Sequence, residues 1–222
     1  MQACDVLIKN ALVFDGYGNA PRLEDVAVKG GLIIARDSKL EMDAAEVVDA
    51  DGYWLMPGLL DIHTHLDLEV ELNPGLGEAV RHGTTTVLVG NCSLGTAFGA
   101  QNTHGEEPIV DCFTRVENVP KPVLQKCASA MTWDNTEDYL RHFDDIALGP
   151  NVAAFLPHSM LRVEVMGVED SISRKPTEAE KERMLALLRD AAQRSGAALL
   201  VVTHDERVRG QLDREFELEQ RA

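Results

Sequence analysis

The stretch Pro57-Gly58-Leu59-Leu60-Asp61-Ile62-His63-Thr64-His65-Leu66-Asp67 carries an apolar run that ends in two histidines two residues apart. Successive side chains of a strand point to opposite faces, so His63 and His65 share one face and can converge on one cation. The Pro-Gly pair before the run is turn chemistry that marks the start of the strand. Apolar residues on both of its faces, such as Leu59 and Leu60, are typical of a parallel barrel strand. The stretch therefore predicts a barrel strand that leads into a metal site.

A second strand strengthens this prediction, because a lone His-x-His pair can also consist of hydrogen-bonded residues at a strand end. The apolar run Thr84–Val89 leads into Gly90-Asn91-Cys92. Barrel enzymes place their chemistry at the C-terminal ends of the strands, where Cys92 falls. The alternative for Cys92 is a buried thiol that packs as a small apolar residue.

These segments resemble the amidohydrolase superfamily. Met56–Asp67 resembles its first barrel strand, and Thr84–Cys92 resembles the second strand of its N-acyl-D-amino-acid deacylase branch. Asn151–Arg162 and the residues after it, Val165-Met166-Gly167 and Arg174-Lys175-Pro176-Thr177, are also similar to that branch. The resemblance runs in order over about residues 1–190. Ser93 and Pro157 depart from it, because that branch commonly has glycine at both positions.

The resemblance implies a zinc enzyme that hydrolyses an N-acyl-D-amino acid, a small molecule, to a carboxylate and a D-amino acid. It implies that Cys92 is a zinc ligand beside His63 and His65, and a thiolate with imidazoles suits Zn²⁺. We expect Asp67 to orient a ligand or cap the strand end. His158, at the mouth of the third strand, is a candidate substrate-binding residue or a hydrogen-bonded loop residue.

The predicted fold class is α/β, a partial TIM-like (β/α) barrel of about four strands preceded by half of a small β-sandwich. Short apolar runs separated by Gly, Asp, Asn and Pro predict a small β-sandwich over residues 1–56, with strands at 6–8, 11–14, 26–28, 32–34 and 46–48. The resemblance implies that only half of this sandwich is present. From residue 57 onward, strands alternate with helical stretches, which indicates βα units. These strands end at His65, Cys92, His158 and His204.

Two helices are predicted from their start signals. Thr177 and Glu180 form a capping box for a helix over about 178–194. Asp134, with Glu137 three residues later, predicts the start of a shorter helix that ends near Ile146.

The barrel is expected to be incomplete, since a whole one needs about 250 residues. The resemblance implies further metal histidines on the fifth and sixth strands and an aspartate on the eighth. No segment supplies them, so no catalytic residue is identified. Residues 195–222 are of uncertain origin, because Ser195–Glu206 resembles the C-terminal part of an ABC-transporter ATPase. An ATPase is not expected without a Gly-x-x-x-x-Gly-Lys-Ser/Thr loop, and His204 could instead be a ligand at the barrel mouth.

Composition excludes several partners. The net charge of −16, from 21 basic and 37 acidic residues, argues against nucleic acid and anionic membranes. Without a signal peptide or a membrane-spanning run, we expect a cytoplasmic protein with reduced cysteines. An open half-barrel would expose strand edges, which favours a homo-oligomer. His82, His104 and His142 have no motif around them and are predicted to lie on the surface.

Two functional interpretations therefore remain open. The chain belongs either to a metal-dependent amidohydrolase of the deacylase type or to a truncated or chimeric fragment that binds metal without catalysis. Metal content distinguishes them in part, since a competent site must hold zinc tightly.

Overall fold

The computed structural model describes residues 3–98, 108–196 and 198–203, together with positions 208, 210 and 212–214. The chain divides into two compact units, Met1–Leu59 and Leu60–Ala222. Each unit has its own sheet, and each is described separately.

The first unit is one mixed sheet. Its strands are β1 (Ala3–Val13), β2 (Arg22–Lys29), β3 (Leu32–Asp37), β4 (Asp43–Asp49) and β5 (Trp54–Leu55). The order is β3-β2-β1-β4, and β5 also pairs with β1. β1 and β2 are antiparallel, as are β2 and β3, whereas β4 and β5 run parallel to β1.

The sequence predicted two strands where the single long β1 lies. The irregularity that suggested a break is a bulge, because the register with β2 shifts between Ile8 and Ala11 and Asn10 has φ 60°. The buried carboxylate of Asp25 accepts hydrogen bonds from Asn10 N and Leu40 N, both at 2.9 Å. Asp25 therefore satisfies the backbone at the bulge, and the strand continues through it.

Apolar side chains of this unit are divided between a small core and exposed positions. One core group is Cys4, Leu7 and Ala27, and another is Ala11, Val13 and Val26. Several large apolar residues of the same strands are instead more than half exposed: Leu23, Leu32, Ile33, Val47 and Trp54. In a sandwich a second sheet covers such apolar side chains, and the half-sandwich over residues 1–56 stays a prediction.

The second unit is α/β. Its strands are β6 (Leu59–Asp61), which starts at the boundary, β7 (Thr84–Val89) and β8 (Asn151–Ala154). Its helices are α1 (Glu69–Leu72), α2 (Gly77–Arg81), α3 (Pro108–Val116), α4 (Lys121–Ala128), α5 (Thr136–Asp145), α6 (His158–Met166), α7 (Val168–Ser173) and α8 (Glu178–Ser195). The strand order is β6-β7-β8, and β7 and β8 are parallel. The alternation of strands and helices confirms the predicted fold class, and the described residues form no closed barrel.

The predicted fourth strand does not form. Residues 198–203 lie in no strand, and His204 is outside the described residues. Leu200 and Val202 are 81% and 86% exposed, so this apolar run is not covered as a barrel strand would be. The second unit therefore has three strands in its described part.

The expectation that the first barrel strand is buried on both faces was also wrong. Leu59, Leu60 and Ile62 are 52%, 64% and 66% exposed. The physical reason is that the buried core of the second unit includes Val87 of β7 but no residue of β6, the edge strand of the three-stranded sheet. The core instead surrounds β7, whose Val87 and Val89 are fully buried.

The helix starts agree with the sequence in one case and differ by a residue in the other. The capping box of Thr177 and Glu180 at the start of α8 is confirmed. The cap of α5 is Asn135 and not Asp134, because Asn135 has extended backbone and its side chain accepts from Asp138 N. Asp134 is exposed one residue earlier.

Candidate metal centre

The two histidines of the first motif follow β6 on a segment that is pinned from both sides. His63 N donates to Asp61 Oδ1 at 3.3 Å. Thr64, between the histidines, is buried, and its hydroxyl donates to the Leu88 carbonyl of β7 at 2.7 Å. The side chain that points away from the two imidazoles therefore anchors them to the neighbouring strand.

Cys92 lies in a strained turn at the end of β7. Gly90, Cys92 and Ser93 have φ of 82°, 53° and 63°, all in the left-handed region. That region costs a non-glycine residue about 1–2 kcal/mol, and such strain is concentrated at functional sites. At Gly90 a side chain has no room either, since a Cβ would lie 2.5 Å from the Phe155 carbonyl oxygen.

The turn brings the cysteine to the histidines. His63 Nε2 lies 3.1 Å from Cys92 Sγ, and the His63 and His65 ring centroids are 5.4 Å apart. One donor atom from each of the three residues lies within 4.8 Å of the others. Among the residues that the structure describes, no other group of three His, Cys, Asp or Glu side chains is gathered in this way.

The two nitrogens of His65 have different surroundings. Nε2 is 3.6 Å from Glu117 Oε1, and the ring meets Phe113 edge-on at 6.5 Å between centroids. Nδ1 is buried and has no hydrogen-bond partner among the described residues. An imidazole with a carboxylate at one nitrogen and a free second nitrogen is the usual state of a metal-binding histidine. No motif in the sequence around Glu117 indicates this contact.

Asp67 is buried behind the cluster. Its Oδ1 accepts from Gly90 N at 2.7 Å, whereas Oδ2 has no partner among the described residues. Burial raises the pKa of this carboxyl group to about 7, against the lowering effect of the Gly90 hydrogen bond. The side chain of Asn91 donates to the carbonyl of Leu88 at 2.8 Å and to that of Thr64 at 3.3 Å.

His158 is not part of the three-residue cluster. It is the first residue of α6, four residues after the end of β8, so the third strand ends before His158 and not at it as predicted. Partial burial lowers its pKa, and the positive charge of Arg162 adds to that effect. The next residue, Ser159, donates a hydrogen bond to the carbonyl of Ser93, which ties α6 to the turn that carries Cys92. A substrate-binding role for His158 stays a prediction.

Of the three histidines predicted to lie on the surface, one does not. His82 is 71% exposed, and His104 lies outside the described residues. The His142 side chain is only 20% exposed; its Nε2 is 2.7 Å from Glu71 Oε2, and its ring packs on Trp133 at 4.9 Å. A buried carboxylate from α1 and a tryptophan draw it inward, and neither partner is adjacent to it in sequence.

The residues of the cluster fit a zinc ion. Zinc takes imidazole nitrogen at about 2.0–2.1 Å and thiolate sulfur at about 2.3 Å in tetrahedral geometry, which places two nitrogens and one sulfur roughly 3.3–3.6 Å from one another. Donor atoms that already lie within 4.8 Å need only small rotations to reach that arrangement. The buried, unpartnered Nδ1 of His65 is a polar atom that a cation would satisfy.

Comparison with known proteins places the chain in a family. The amidohydrolase family model matches residues 46–222. The chain belongs to the amidohydrolase family. The match includes residues 195–222, and the comparisons do not support the resemblance of that segment to ABC-transporter ATPases.

Three similar proteins show how much of the chain aligns with known ones. It is 43% identical to an uncharacterized protein of Mycobacterium tuberculosis over 85% of its own length and 31% of the relative's. It is 32% identical to N-acyl-D-aspartate deacylase of Alcaligenes xylosoxydans xylosoxydans over 85% of its own length and 34% of the relative's. The chain also superposes on the crystal structure of N-acyl-D-glutamate deacylase from Bordetella bronchiseptica, which is complexed with zinc and a phosphonate inhibitor. The TM-score is 0.68 and the sequence identity 26%, and the superposition covers 86% of this chain and 37% of the deacylase.

This amidohydrolase chain thus spans about a third of the length of the relatives it matches. Within the described residues, no helix has the length and apolar character needed to cross a bilayer.

Proposed function

We propose that this amidohydrolase is a zinc-dependent deacylase that hydrolyses an N-acyl-D-amino acid to a carboxylate and the free D-amino acid. The observation that carries the proposal is the cluster of His63, His65 and Cys92, whose donor atoms converge within 4.8 Å. The named relatives support the substrate class, since one is an N-acyl-D-aspartate deacylase and another is an N-acyl-D-glutamate deacylase with bound zinc.

The chemistry of the reaction is the addition of water across an amide. The carbonyl C–N bond breaks, the oxygen of water joins the carbonyl carbon, and the nitrogen leaves with a proton as the amine. When bound, zinc supplies a water of lowered pKa and polarises a carbonyl group. This explains why the cluster needs no serine or cysteine nucleophile.

The residues of the chain have distinct parts in this proposal. His63, His65 and Cys92 hold the ion, and Glu117 faces the second nitrogen of His65 at 3.6 Å. A carboxylate in that place fixes the ring orientation and raises the basicity of a ligand. In this proposal His158, the first residue of α6, contacts the substrate.

The second candidate function is metal binding without catalysis. It is favoured by the open three-stranded sheet and by the share of each relative that the chain spans. A chain of this kind binds zinc through the same three side chains and does not hydrolyse the substrate.

Metal analysis tests the site. The purified chain should carry one zinc ion, and Cys92→Ser and His65→Ala should each abolish it. Cys112→Ser is the matched control, because Cys112 is a free cysteine outside the cluster. Zinc-free wild-type protein that does not take up added zinc would contradict the proposal, as would equal zinc content in all four proteins.

A hydrolysis assay then separates the two functions. The zinc-loaded chain is incubated with N-acetyl derivatives of D- and L-glutamate, D- and L-aspartate and D-methionine, and release of the amino acid is measured. Hydrolysis of D-substrates that is lost in Cys92→Ser supports the deacylase. Stoichiometric zinc with no release from any substrate supports metal binding alone.

Self-association is proposed on separate grounds. Leu60 in the edge strand β6, Ile62 directly after it and Phe155 directly after β8 are each about half exposed or more. Exposed apolar side chains at a sheet edge favour pairing with another chain. Light scattering should therefore give a mass above 24.4 kDa, and a monodisperse monomer would contradict this.

A further inference from the structure

Asp67 connects the two segments that carry the clustered side chains. It follows His65 by two residues, and its carboxylate accepts from Gly90 N, two residues before Cys92, at 2.7 Å. The residue is 1% exposed, so water does not compete for this bond. A single buried contact thus joins the chain beside one group of donors to the chain beside the other.

The turn that Asp67 contacts is one that needs support. Gly90 opens a turn in which Cys92 and Ser93 have left-handed backbone, and strain of that kind persists only where the surroundings hold it. Asn91 donates to the carbonyls of Leu88 and Thr64 and so fixes acceptor groups. The donor at the start of the turn, Gly90 N, is fixed by Asp67.

We infer that Asp67 is a positioning residue: through the Gly90 amide it holds the turn that presents Cys92 to the ion shared with His63 and His65. This inference rests on the proposed zinc site. Loss of the acceptor leaves a buried N–H unpaired, and the turn then shifts to satisfy it. A thiolate displaced with the turn no longer meets the two imidazoles at one point.

The test uses Co²⁺ as a probe that replaces zinc. A cobalt–thiolate bond gives a near-ultraviolet charge-transfer absorption, so the band reports directly on whether Cys92 is coordinated. The 222-residue chain is titrated with Co²⁺, and affinity is measured by competition with a chelator. Neither measurement depends on catalytic activity.

Three substitutions of Asp67 distinguish a role in positioning the turn from a role that only fills a buried space. Asp67→Asn keeps an oxygen that can accept from Gly90 N in a side chain of the same shape. Asp67→Ala removes the acceptor, and Asp67→Ser keeps a polar side chain too short to reach. Asp25→Ala is the matched control: Asp25 is also buried and accepts two backbone N–H bonds, but within the first unit.

We expect Asp67→Asn and Asp25→Ala to keep the charge-transfer band and a cobalt affinity within about 3-fold of wild type. Asp67→Ala and Asp67→Ser should lose most of the band and about 10–100-fold in affinity, the usual effect of removing a partner behind a metal ligand. If Asp67→Ala or Asp67→Ser keeps the full charge-transfer band and the wild-type cobalt affinity, the inference is overturned while the zinc site stands. A 10-fold loss in Asp67→Asn would also overturn it, and this variant tests the idea even if the smaller side chains prevent folding.

If the wild-type chain itself shows no cobalt–thiolate band, the proposed metal site is overturned, and the positioning role with it. The wild-type titration is therefore done first, because it separates failure of the site from failure of the role of Asp67.

Discussion

His63 Nε2 and Cys92 Sγ lie 3.1 Å apart although 29 residues separate them in the chain. Neighbouring strands alone do not produce this contact, since their backbones are about 4.8 Å apart and side chains at their ends can diverge. The left-handed turn after β7 redirects the thiol toward the imidazole. Strain at this turn and convergence of the donors are therefore one structural feature.

This contact predicts the effect of removing its imidazole. His63→Ala should weaken zinc binding by at least about 100-fold, since even the loss of an outer partner of a ligand costs 10–100-fold. His82→Ala is the control, because His82 is 71% exposed and outside the cluster. Zinc affinity is measured by chelator competition. If the two variants bind zinc equally well, His63 is not a ligand.

The Phe155 carbonyl oxygen lies so close to Gly90 that adding a side chain at Gly90 should lower the stability of the second unit. Gly90→Ala should destabilise the second unit by about 2–5 kcal/mol, since left-handed alanine costs roughly 1–2 kcal/mol and overpacking typically 1–3 kcal/mol more. Gly196→Ala is the matched control, because Gly196 also has left-handed backbone, with φ 65° where Gly90 has 82°. A Cβ added at Gly196 would meet no atom within 4 Å. Gly196→Ala should therefore cost only about 1–2 kcal/mol.

Urea unfolding followed by Trp133 fluorescence measures this difference in the second unit. A Trp54→Phe background removes the other tryptophan, which lies in the first unit. Equal costs for the two glycines would show that the Phe155 carbonyl moves away freely, and that the end of β8 does not constrain the turn.

The sequence predicted the cluster because its information is local. The strand pattern predicts His63 and His65 on one face at the end of the first strand and Cys92 at the end of the next, and in the structure they follow β6 and β7 closely. Glu117 and the pairing of His142 with Glu71 could not be found in this way. Glu117 follows α3, and His142 and Glu71 lie on two different helices, so both contacts depend on tertiary packing. The partners are 52 and 71 residues apart in the chain, and nothing in the local pattern indicates the contacts.

Burial was harder to predict than strand formation. The apolar run around Leu60 has the composition of a doubly covered barrel strand, yet Leu60 is 64% exposed. Composition shows only that a residue can be buried, whereas exposure depends on which neighbours are present. The apolar run that includes Leu200 forms no strand for a related reason: β pairing is favourable mainly where packing accompanies it.

The start of α5 offers a direct comparison of the sequence prediction with the structure. Asn135→Ala should destabilise the second unit by about 1 kcal/mol, because it removes the acceptor for Asp138 N. Asp134→Ala, at the position that the sequence favoured, should change stability by less than about 0.5 kcal/mol. Urea midpoints measure both, and the reverse order would restore Asp134 as the cap.

The capping box of α8 predicts a pH dependence. The Arg174 guanidinium, together with hydrogen bonds from the Thr177 amide and hydroxyl, holds the pKa of Glu180 well below its ordinary value of 4.5. Since the folded pKa is lower than the unfolded one, this group stabilises the fold above about pH 4.5, and its contribution is lost as the pH falls through the folded pKa. Stability should therefore decrease on acidification in that window.

Glu180→Gln isolates this contribution, because glutamine can keep the capping geometry without the charge that faces Arg174. The variant should unfold at lower urea than wild type at pH 7, and the difference should shrink steadily between about pH 4.5 and pH 2. Glu182→Gln removes the same charge from an exposed position of the same helix and should show a much weaker trend. If the difference in urea midpoint between Glu180→Gln and wild type does not change with pH, the geometry of the carboxylate, and not its ionisation, stabilises the start of α8.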